Sequence, residues 1–215
     1  MLTDYRIPPA NDGAPQHAVI FLHGVGDSGS GGLLSIGEMW NTALPDTEFL
    51  CPDAPFPFDM GPSGRQWFSL REFTRPAMLE GARKAAHALN EYIDHVLETR
   101  KLAPDKLALV GFSQGTIMAL YVAPRRPGQI AGIIGYSGAL VGFENLVREK
   151  KSSPPVLLIH GTSDEVVPYA FLMPSEQGLR DADIPVATLA CPGTGHTIDE
   201  RGLVEGLKFL KKVLV

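Results

Sequence analysis

The sequence predicts an α/β fold: a doubly wound, mostly parallel sheet with helices on both faces. Apolar runs of strand length alternate with segments of helical periodicity, and the runs lack the polar alternation of a half-exposed sheet. A length of 215 residues suits one hydrophobic core. We therefore expect a single domain spanning residues 1–215, with one site and no large cap domain.

Six apolar runs account for the predicted strands. Four of them contain the uninterrupted apolar segments VIFL, LALV, AGII and VLLI, whose β-branched character is typical of strands buried on both faces of a parallel sheet. The runs lie at residues 17–22, 48–51, 107–110, 130–136, 155–159 and 186–190. Most of the intervals between them are long enough for a helical crossover, which indicates repeated βα units.

Four segments account for the predicted helices. Apolar residues recur at steps of three and four between residues 76 and 102, and related patterns favour helices at 33–44, 114–123 and 199–215. Pro124 should end the third helix, because proline removes a donor from the helical ladder. The proline-rich stretch 52–62 is predicted to be irregular for the same reason.

Charge, hydropathy and cysteine content exclude several classes of protein. The net charge is −5 and no long basic run occurs, so nucleic acid is not an expected partner. No stretch approaches the roughly 18 apolar residues of a membrane span, and no leader-like pattern begins the chain, so we expect a cytoplasmic protein without stable membrane insertion. Cys51 and Cys191 each end an apolar run before a proline, which favours two buried thiols over a disulfide.

The segment Gly111-Phe112-Ser113-Gln114-Gly115 matches the pattern G-x-S-x-G. A predicted buried strand leads into it and a predicted helix leads out, which is the context of the nucleophile turn in the α/β-hydrolase fold. The glycines avoid clashes at a sharp turn, and the helix N-terminus stabilises a developing anion. Ser113 is therefore the candidate nucleophile, with a simple helix-capping serine as the alternative.

A general base must come from a histidine that follows Ser113 in this fold, and only His160 and His196 do so. His196 lies in a glycine-rich loop after the last predicted strand, from which an imidazole can reach over the serine. His160 ends a buried strand, where we expect its ring nitrogens to bond backbone groups. His196 is therefore the predicted base.

The acid that orients the base is predicted to be Asp164. It follows a buried strand by a short turn, so its carboxylate should lie at the same sheet edge as His196 and accept from Nδ1. Glu165 is the main alternative. Asp181 and Asp183 are less suitable, because they lie near a polar helix end.

A glycine-rich loop, His23-Gly24-Val25-Gly26, follows the first predicted strand. Such a loop brings a backbone amide close to the reaction centre, so we expect the amides of Val25 and Gln114 to form an oxyanion hole. His23 is predicted to support this loop rather than act as a second base. The alternative is a loop that only connects a strand to a helix.

Five motifs occur in a fixed order along the chain: FLHGVGDSG, RQWFSL, VGFSQG, IHGTSDEVVP and GTGHTI. From about residue 17 to about residue 210 they resemble the phospholipase/carboxylesterase family, which includes bacterial carboxylesterases and acyl-protein thioesterases. The resemblance implies a compact α/β-hydrolase that cleaves short to medium acyl esters or thioesters. It also implies Ser113, Asp164 and His196 as the catalytic residues.

The same resemblance assigns the oxyanion amides to Val25 and Gln114, and it places Trp67 against the acyl group. This chain departs from the family pattern at two positions. Family members often carry aspartate where this chain has Ser69, and glycine where it has Thr116. These departures concern the pocket rather than the chemistry.

The cover of the site is expected from residues 53–72, since the interval between Ser113 and Asp164 holds only a helix, a strand and a loop. Trp67 and Leu70 are the candidate substrate-binding residues in this segment. Trp67 and its neighbour Phe68 could equally anchor the segment to the core. A stiff, proline-rich cover predicts an open groove, with rates that level off at medium acyl lengths.

The sequence therefore predicts a serine carboxylesterase that forms an acyl-enzyme on Ser113 and acts on a small-molecule ester or thioester. Acyl-protein thioesterase or lysophospholipase activity is the alternative main role, and a catalytically silent binding module is a third. No metal or cofactor is expected, because ligand-spaced histidines and nucleotide-binding glycine patterns do not occur. A homodimer remains an open option.

Overall fold

The computed structural model describes residues 2–215. The strands are β1 Asp4–Ile7, β2 His17–Leu22, β3 Thr47–Pro52, β4 Phe56–Pro57, β5 Arg65–Gln66, β6 Leu107–Phe112, β7 Gly132–Tyr136, β8 Val156–Gly161 and β9 Val186–Cys191. The helices are α1 Gly32–Asn41, α2 Arg75–Arg100, α3 Gln114–Val122, α4 Phe143–Glu149, α5 Leu172–Asp181 and α6 Glu200–Leu214. None of the helices described is long and apolar enough to cross a membrane.

Seven strands form one sheet in the order β1-β3-β2-β6-β7-β8-β9, and β4 pairs with β5 in a separate short ribbon. In the large sheet, the neighbouring strands in the series β3-β2-β6-β7-β8-β9 are parallel, whereas β1 lies antiparallel at the edge beside β3. The carboxyl ends of the parallel strands therefore meet at one edge, where open α/β sheets place their ligand sites. The predicted mostly parallel α/β sheet is confirmed.

Two apolar cores cover the two faces of the sheet, and the alternation along β2 shows the division. Ile20 and Leu22 pack in one core with Leu89 and other side chains of α2 and α3. Val19 and Phe21 pack in the other core with side chains of α1 and α6. Because successive strand residues point to opposite faces, one uninterrupted apolar strand supplies both cores.

The elements that the sequence did not predict are short or half-exposed. Strand β1 has four residues and no fully buried side chain, and α4 has only seven residues. The ribbon of β4 and β5 interrupts the stretch that was predicted to be irregular, because residues 56–57 pair with residues 65–66. Helix α5 also forms after β8, in a segment whose sequence indicated only a polar helix end.

Both cysteines are free and buried. Burial raises the pKa of Cys51 to about 12 and that of Cys191 to about 11. Cys51 lies in β3 and Cys191 ends β9, and four strands, β2, β6, β7 and β8, separate them in the sheet. Because neighbouring strands are about 4.8 Å apart, these residues are too distant for a disulfide.

Candidate active site

Ser113 occupies the turn between β6, which ends at Phe112, and α3, which begins at Gln114. Its φ of 53° and ψ of −115° lie in a backbone region that residues other than glycine rarely adopt. The Ser113 amide donates to the Tyr136 carbonyl at 2.9 Å, which ties the turn to β7. The hydroxyl makes no capping hydrogen bond to α3, so the helix-cap alternative finds no support.

Two glycines provide the space for this turn. A Cβ at Gly115 would lie 1.8 Å from the Leu22 carbonyl oxygen, and a Cβ at Gly111 would lie 2.5 Å from the Gly115 carbonyl carbon. Backbone atoms cannot be approached so closely, so only glycine lets α3 pack against β2 and β6. These are the two glycines of the G-x-S-x-G pattern.

The structure brings His196 and Asp164 together at the carboxyl edge of the sheet. His196 Nδ1 lies 2.8 Å from Asp164 Oδ2, and Asp164 Oδ1 accepts from the amides of Val166 and Val167 at 3.0 Å and 2.9 Å. Burial alone would raise the pKa of Asp164, but the bonds from His196 and the two amides outweigh it and lower the pKa. An ionised Asp164 therefore fixes the His196 tautomer.

His160 has a different environment. It is buried, and its Nε2 lies 2.8 Å from the Val167 carbonyl oxygen but 3.4 Å from Asp164 Oδ2. Its ring nitrogen thus bonds the backbone of the loop that presents Asp164. The neighbouring Glu165, the alternative acid, has an exposed side chain.

His196 lies beside the Ser113 turn without a hydrogen bond to it. The His196 ring packs on the Phe112 ring with a centroid distance of 4.8 Å. Within residues 2–215, no hydrogen bond joins Ser113 Oγ to His196. Catalytic hydrogen bonds are often long in unliganded enzymes and tighten when substrate binds.

The loop after β2 lies against the nucleophile turn. A Cβ at Gly24 would be 3.4 Å from Ser113 Cβ, so the absence of a side chain there lets the loop approach. Neither the Val25 amide nor the Gln114 amide has an intramolecular acceptor in the described part of the chain. Gly26 is tied down by a hydrogen bond of 2.8 Å from its amide to the Arg65 carbonyl.

His23 holds this loop in place. Its Nδ1 lies 2.7 Å from the Gly24 carbonyl oxygen, and its Nε2 accepts from the Ala54 amide at 3.0 Å. Burial lowers the pKa of His23, which favours the neutral tautomer that donates from Nδ1 and accepts at Nε2. Both nitrogens are occupied, so His23 supports the loop, as expected from the sequence.

Trp67 is fully buried and joins the loop to the nucleophile turn. Its indole Nε1 donates to the His23 carbonyl at 3.1 Å, and its amide donates to Gln114 Oε1 at 2.8 Å. Gln114 Nε2 in turn donates to the Phe68 carbonyl at 2.8 Å. This geometry favours the anchoring interpretation of Trp67 over direct contact with an acyl chain.

Leu70, by contrast, lines a narrow apolar cavity of about 30 Å³ that includes Ser113. Further lining residues come from α2, α3 and the segments after β7 and β8, namely Met78, Ile117, Ala139, Val167 and Phe171. We call this space the acyl cavity. Ala139 and Phe171 could not be assigned to it from sequence, because they lie outside the five motifs, and Val167 lies in IHGTSDEVVP without a feature that marks it as pocket lining.

Sequence reasoning also missed the residues that hold the His196 loop. Asp199 caps α6 by accepting from the Gly202 amide at 2.7 Å, and its other oxygen accepts from the Thr194 hydroxyl at 2.7 Å. Burial alone would raise the pKa of Asp199, but the bonds from Thr194 and Gly202 outweigh it, so its pKa is lowered. An aspartate just before a predicted helix was the available indication.

Thr116, one of the two departures from the family pattern, lies behind the nucleophile. Its hydroxyl donates to the Tyr136 carbonyl at 2.8 Å, the same oxygen that accepts from the Ser113 amide. A Cβ at Gly138 would lie 2.4 Å from Thr116 Cβ, so Gly138 leaves the space that the threonine fills.

Among residues 2–215, no group of three or more His, Cys, Asp or Glu residues could hold a metal ion.

Comparison with known proteins agrees with this fold. A family profile for phospholipases/carboxylesterases matches residues 7–214. Acyl-protein thioesterase 1 of Gibberella zeae is 29% identical over 220 residues, which cover 94% of this chain and 93% of that protein. Esterase YpfH of Escherichia coli is 27% identical over 217 residues, with coverages of 98% and 89%.

Solved structures extend the likeness to three dimensions. The crystal structure of esterase PE8 is 37% identical, with a TM-score of 0.94 and 99% of each chain covered. The crystal structure of Zea mays acyl-protein thioesterase 2 has a TM-score of 0.79 at 24% identity and covers all of both chains, which shows the shared fold. From the profile match and the α/β architecture together, the chain belongs to the phospholipase/carboxylesterase family of α/β-hydrolases.

Proposed function

We propose that the protein is a serine carboxylesterase that hydrolyses short to medium acyl esters or thioesters through an acyl-enzyme on Ser113. The observation that carries the proposal is the 2.8 Å hydrogen bond between His196 Nδ1 and Asp164 Oδ2 beside the Ser113 turn. An imidazole held through Nδ1 keeps Nε2 available as a general base.

In the proposed reaction, His196 accepts the hydroxyl proton of Ser113 as Oγ attacks the ester carbonyl. The resulting oxyanion accepts from the amides of Val25 and Gln114, which have no other acceptor among the described residues. His196 then gives the proton to the leaving alcohol or thiol. Water, activated by His196, finally hydrolyses the acyl-enzyme, while Asp164 stabilises the imidazolium in both steps.

The acyl group is proposed to bind in the acyl cavity, where Leu70 contacts it. Trp67 is proposed to act indirectly, because its side chain is fully buried and bonded to the loop that carries Val25. This arrangement keeps the oxyanion amides in place before substrate binds, which is the property that makes such donors effective.

Acyl-protein thioesterase or lysophospholipase activity is the second candidate role. Relatives at 26–29% identity are named acyl-protein thioesterase 1, which supports the inclusion of thioesters as substrates. A panel of p-nitrophenyl esters and acyl thioesters of equal chain length would rank the two classes. A silent binding module is less suitable, because Ser113, Asp164 and His196 are all present at one sheet edge.

A small-molecule ester or thioester is the proposed partner. Nucleic acid is not proposed, in view of the net charge of −5. A cytoplasmic location stays a prediction that two free buried cysteines support, and a homodimer stays a prediction that light scattering would test.

The central test is labelling with a fluorophosphonate probe. We expect one label per chain at Ser113, and Ser113→Ala should abolish both labelling and esterase activity. Ser137 is a matched control, since it is also buried, also has a positive φ of 45° and also follows a strand of the sheet. Ser137→Ala should keep the label, and a label that persists in Ser113→Ala would refute the proposal.

A further inference from the structure

A second cavity lies on the opposite face of the sheet from the acyl cavity. It has a volume of about 310 Å³ and an apolar lining that includes Leu33, Ile36, Met39, Ile198 and Leu203. Leu33 and Ile36 belong to the core formed by α1 and α6, whereas Met78 and Ile117 of the acyl cavity belong to the core on the other face. Ser113 lines the acyl cavity, and the preceding residue, Phe112, lines the second cavity.

His196 lies next to residues that line the second cavity. Phe112 lines this cavity and packs on the His196 ring at 4.8 Å, and the next two residues after the histidine, Thr197 and Ile198, also line it. In ester cleavage the base returns its proton to the leaving oxygen, so the leaving group must lie on the histidine flank of the scissile bond. The acyl chain then extends to the other side.

We propose that this second cavity binds the alcohol part of the ester, and that the natural substrates combine a short acyl group with a large, neutral, apolar alcohol. The position of this space, called the alcohol cavity, beside the proposed base carries the argument. Its larger volume, about 310 Å³ against about 30 Å³ for the acyl cavity, supports the assignment of the larger group to it. This inference rests on the proposed esterase function and specifies its substrate class.

The charge at the alcohol cavity narrows the class of substrate alcohols further. The ionisable side chain that lines it is Asp27, whose carboxylate accepts from the Ser28 amide at 2.8 Å. A carboxylate at the rim disfavours anionic leaving groups, because like charges repel across a partly apolar space. Alkyl and aryl alcohols fit the lining, whereas alcohols that carry a carboxylate or phosphate do not.

The test compares two substrate series. With the acetyl group fixed, kcat/KM should rise about twofold to fourfold per methylene from ethyl to hexyl acetate, as expected for burial of apolar surface. With ethanol as the fixed alcohol, lengthening the acyl chain beyond butyrate should bring little gain. A flat alcohol series with a steep acyl series would overturn the inference.

Variants locate the effect. Leu203→Trp fills the alcohol cavity and should lower the ratio of kcat/KM for hexyl acetate to that for ethyl acetate by about tenfold. Leu207→Trp is the matched control, because Leu207 is half-buried on the same helix and does not line the cavity; it should leave the ratio unchanged. If Leu203→Trp leaves it unchanged as well, the assignment of the cavity is wrong.

A second variant avoids a large side chain. Met39 is 58% exposed on α1 and lines the alcohol cavity, so Met39→Asp should fold normally and still lower the same ratio. An unaltered ratio in folded Met39→Asp would also overturn the inference.

Fluorophosphonate labelling of Ser113 distinguishes failure of the alcohol-cavity inference from failure of the proposed esterase function. If the probe labels Ser113 but the alcohol series is flat, only the alcohol cavity is refuted; absent labelling refutes the esterase function itself.

Discussion

Asp164 lies near two histidines, His196 and His160, at different distances from each. Its Oδ2 is 2.8 Å from His196 Nδ1 and 3.4 Å from His160 Nε2. His160 bonds the Val167 carbonyl instead and is only 1% exposed. The two histidines therefore differ in role, with His196 facing the nucleophile turn and His160 supporting the loop that carries the acid.

Alanine substitutions should separate these roles. His196→Ala should lower kcat by about three to four orders of magnitude with little change in melting temperature, because it removes the proposed general base. His160→Ala should lower the free energy of unfolding by about 1–3 kcal/mol, because it leaves a buried carbonyl without its donor. Steady-state kinetics and thermal melting measure the two effects.

His87→Ala is the control for both, since His87 is exposed on α2 and pairs only with Glu91 on the same helix. It should change neither kcat nor stability appreciably. The opposite pattern, in which His160→Ala abolishes activity and His196→Ala only destabilises, would show that the roles are exchanged.

At this scale, the residues with a local motif could be predicted from sequence and the others could not. Ser113 and His196 lie in glycine-rich segments whose spacing is visible, and the structure places Asp164 beside His196 as predicted. Trp67 was harder to assign, because burial and contact with a ligand favour the same aromatic residue type. Phe171 lies outside the five motifs, and Val167, although part of IHGTSDEVVP, has no feature that marks it as pocket lining; tertiary packing brings both to Ser113.

The loop that connects β9 to α6 carries His196 and sets its position. The Asp199 carboxylate holds this loop by two hydrogen bonds, one from the Gly202 amide of α6 and one from the Thr194 hydroxyl of the loop. Gly161 helps from the neighbouring strand, because a Cβ there would lie 2.2 Å from the Thr194 carbonyl oxygen. The loop is thus packed on β8 and capped onto α6.

Asp199→Ala should therefore affect both stability and rate. Loss of the cap costs about 1 kcal/mol, and the freed loop should lower kcat by about tenfold, since small displacements of a base are costly. Melting curves and kcat measurements test the pair of effects. Asp199→Asn, which keeps acceptor oxygen for the cap, should recover most of the stability.

Thr74→Ala is the matched control, because Thr74 caps α2 in the same way, accepting from the Ala77 amide. It should lower stability by about 0.5–1 kcal/mol and leave kcat unchanged. A loss of kcat in Thr74→Ala, or none in Asp199→Ala, would remove the case for Asp199 as a positioning residue.

The predictability of the elements follows their length and burial. Strands β2, β6 and β8 are fully or almost fully buried, so uninterrupted apolar runs mark them clearly. Strand β1 consists of four partly exposed residues that gain their structure by pairing with β3. Such pairing depends on a distant segment, which a local pattern does not reveal.

For the whole molecule, the important feature is the short path from nucleophile to acid. Helix α3, strand β7, helix α4 and short connections lie between β6 and β8. The sequence predicted one helix and one strand there and no large cap, and α4 is the additional element. The cover comes instead from the segment between β3 and α2, which contributes Leu70 and Phe73 to the acyl cavity.

We therefore expect no interfacial activation. The rate of tributyrin hydrolysis should rise smoothly with concentration and pass through the solubility limit without a jump, because no lid has to open. A pH-stat assay across that limit measures this, with the soluble ester p-nitrophenyl butyrate as a reference. Activity that appeared only above the limit would indicate a true lipase.

The strained conformation of Ser113 has an evolutionary consequence. A non-glycine residue at φ 53° and ψ −115° costs the fold on the order of 1–3 kcal/mol, and glycine would relieve it. Selection for hydrolysis keeps a residue that selection for stability would replace. In a duplicated gene released from catalysis, exchange of Ser113 for glycine would be favoured from the outset, so the descent from enzyme to binding protein would be quick and hard to reverse.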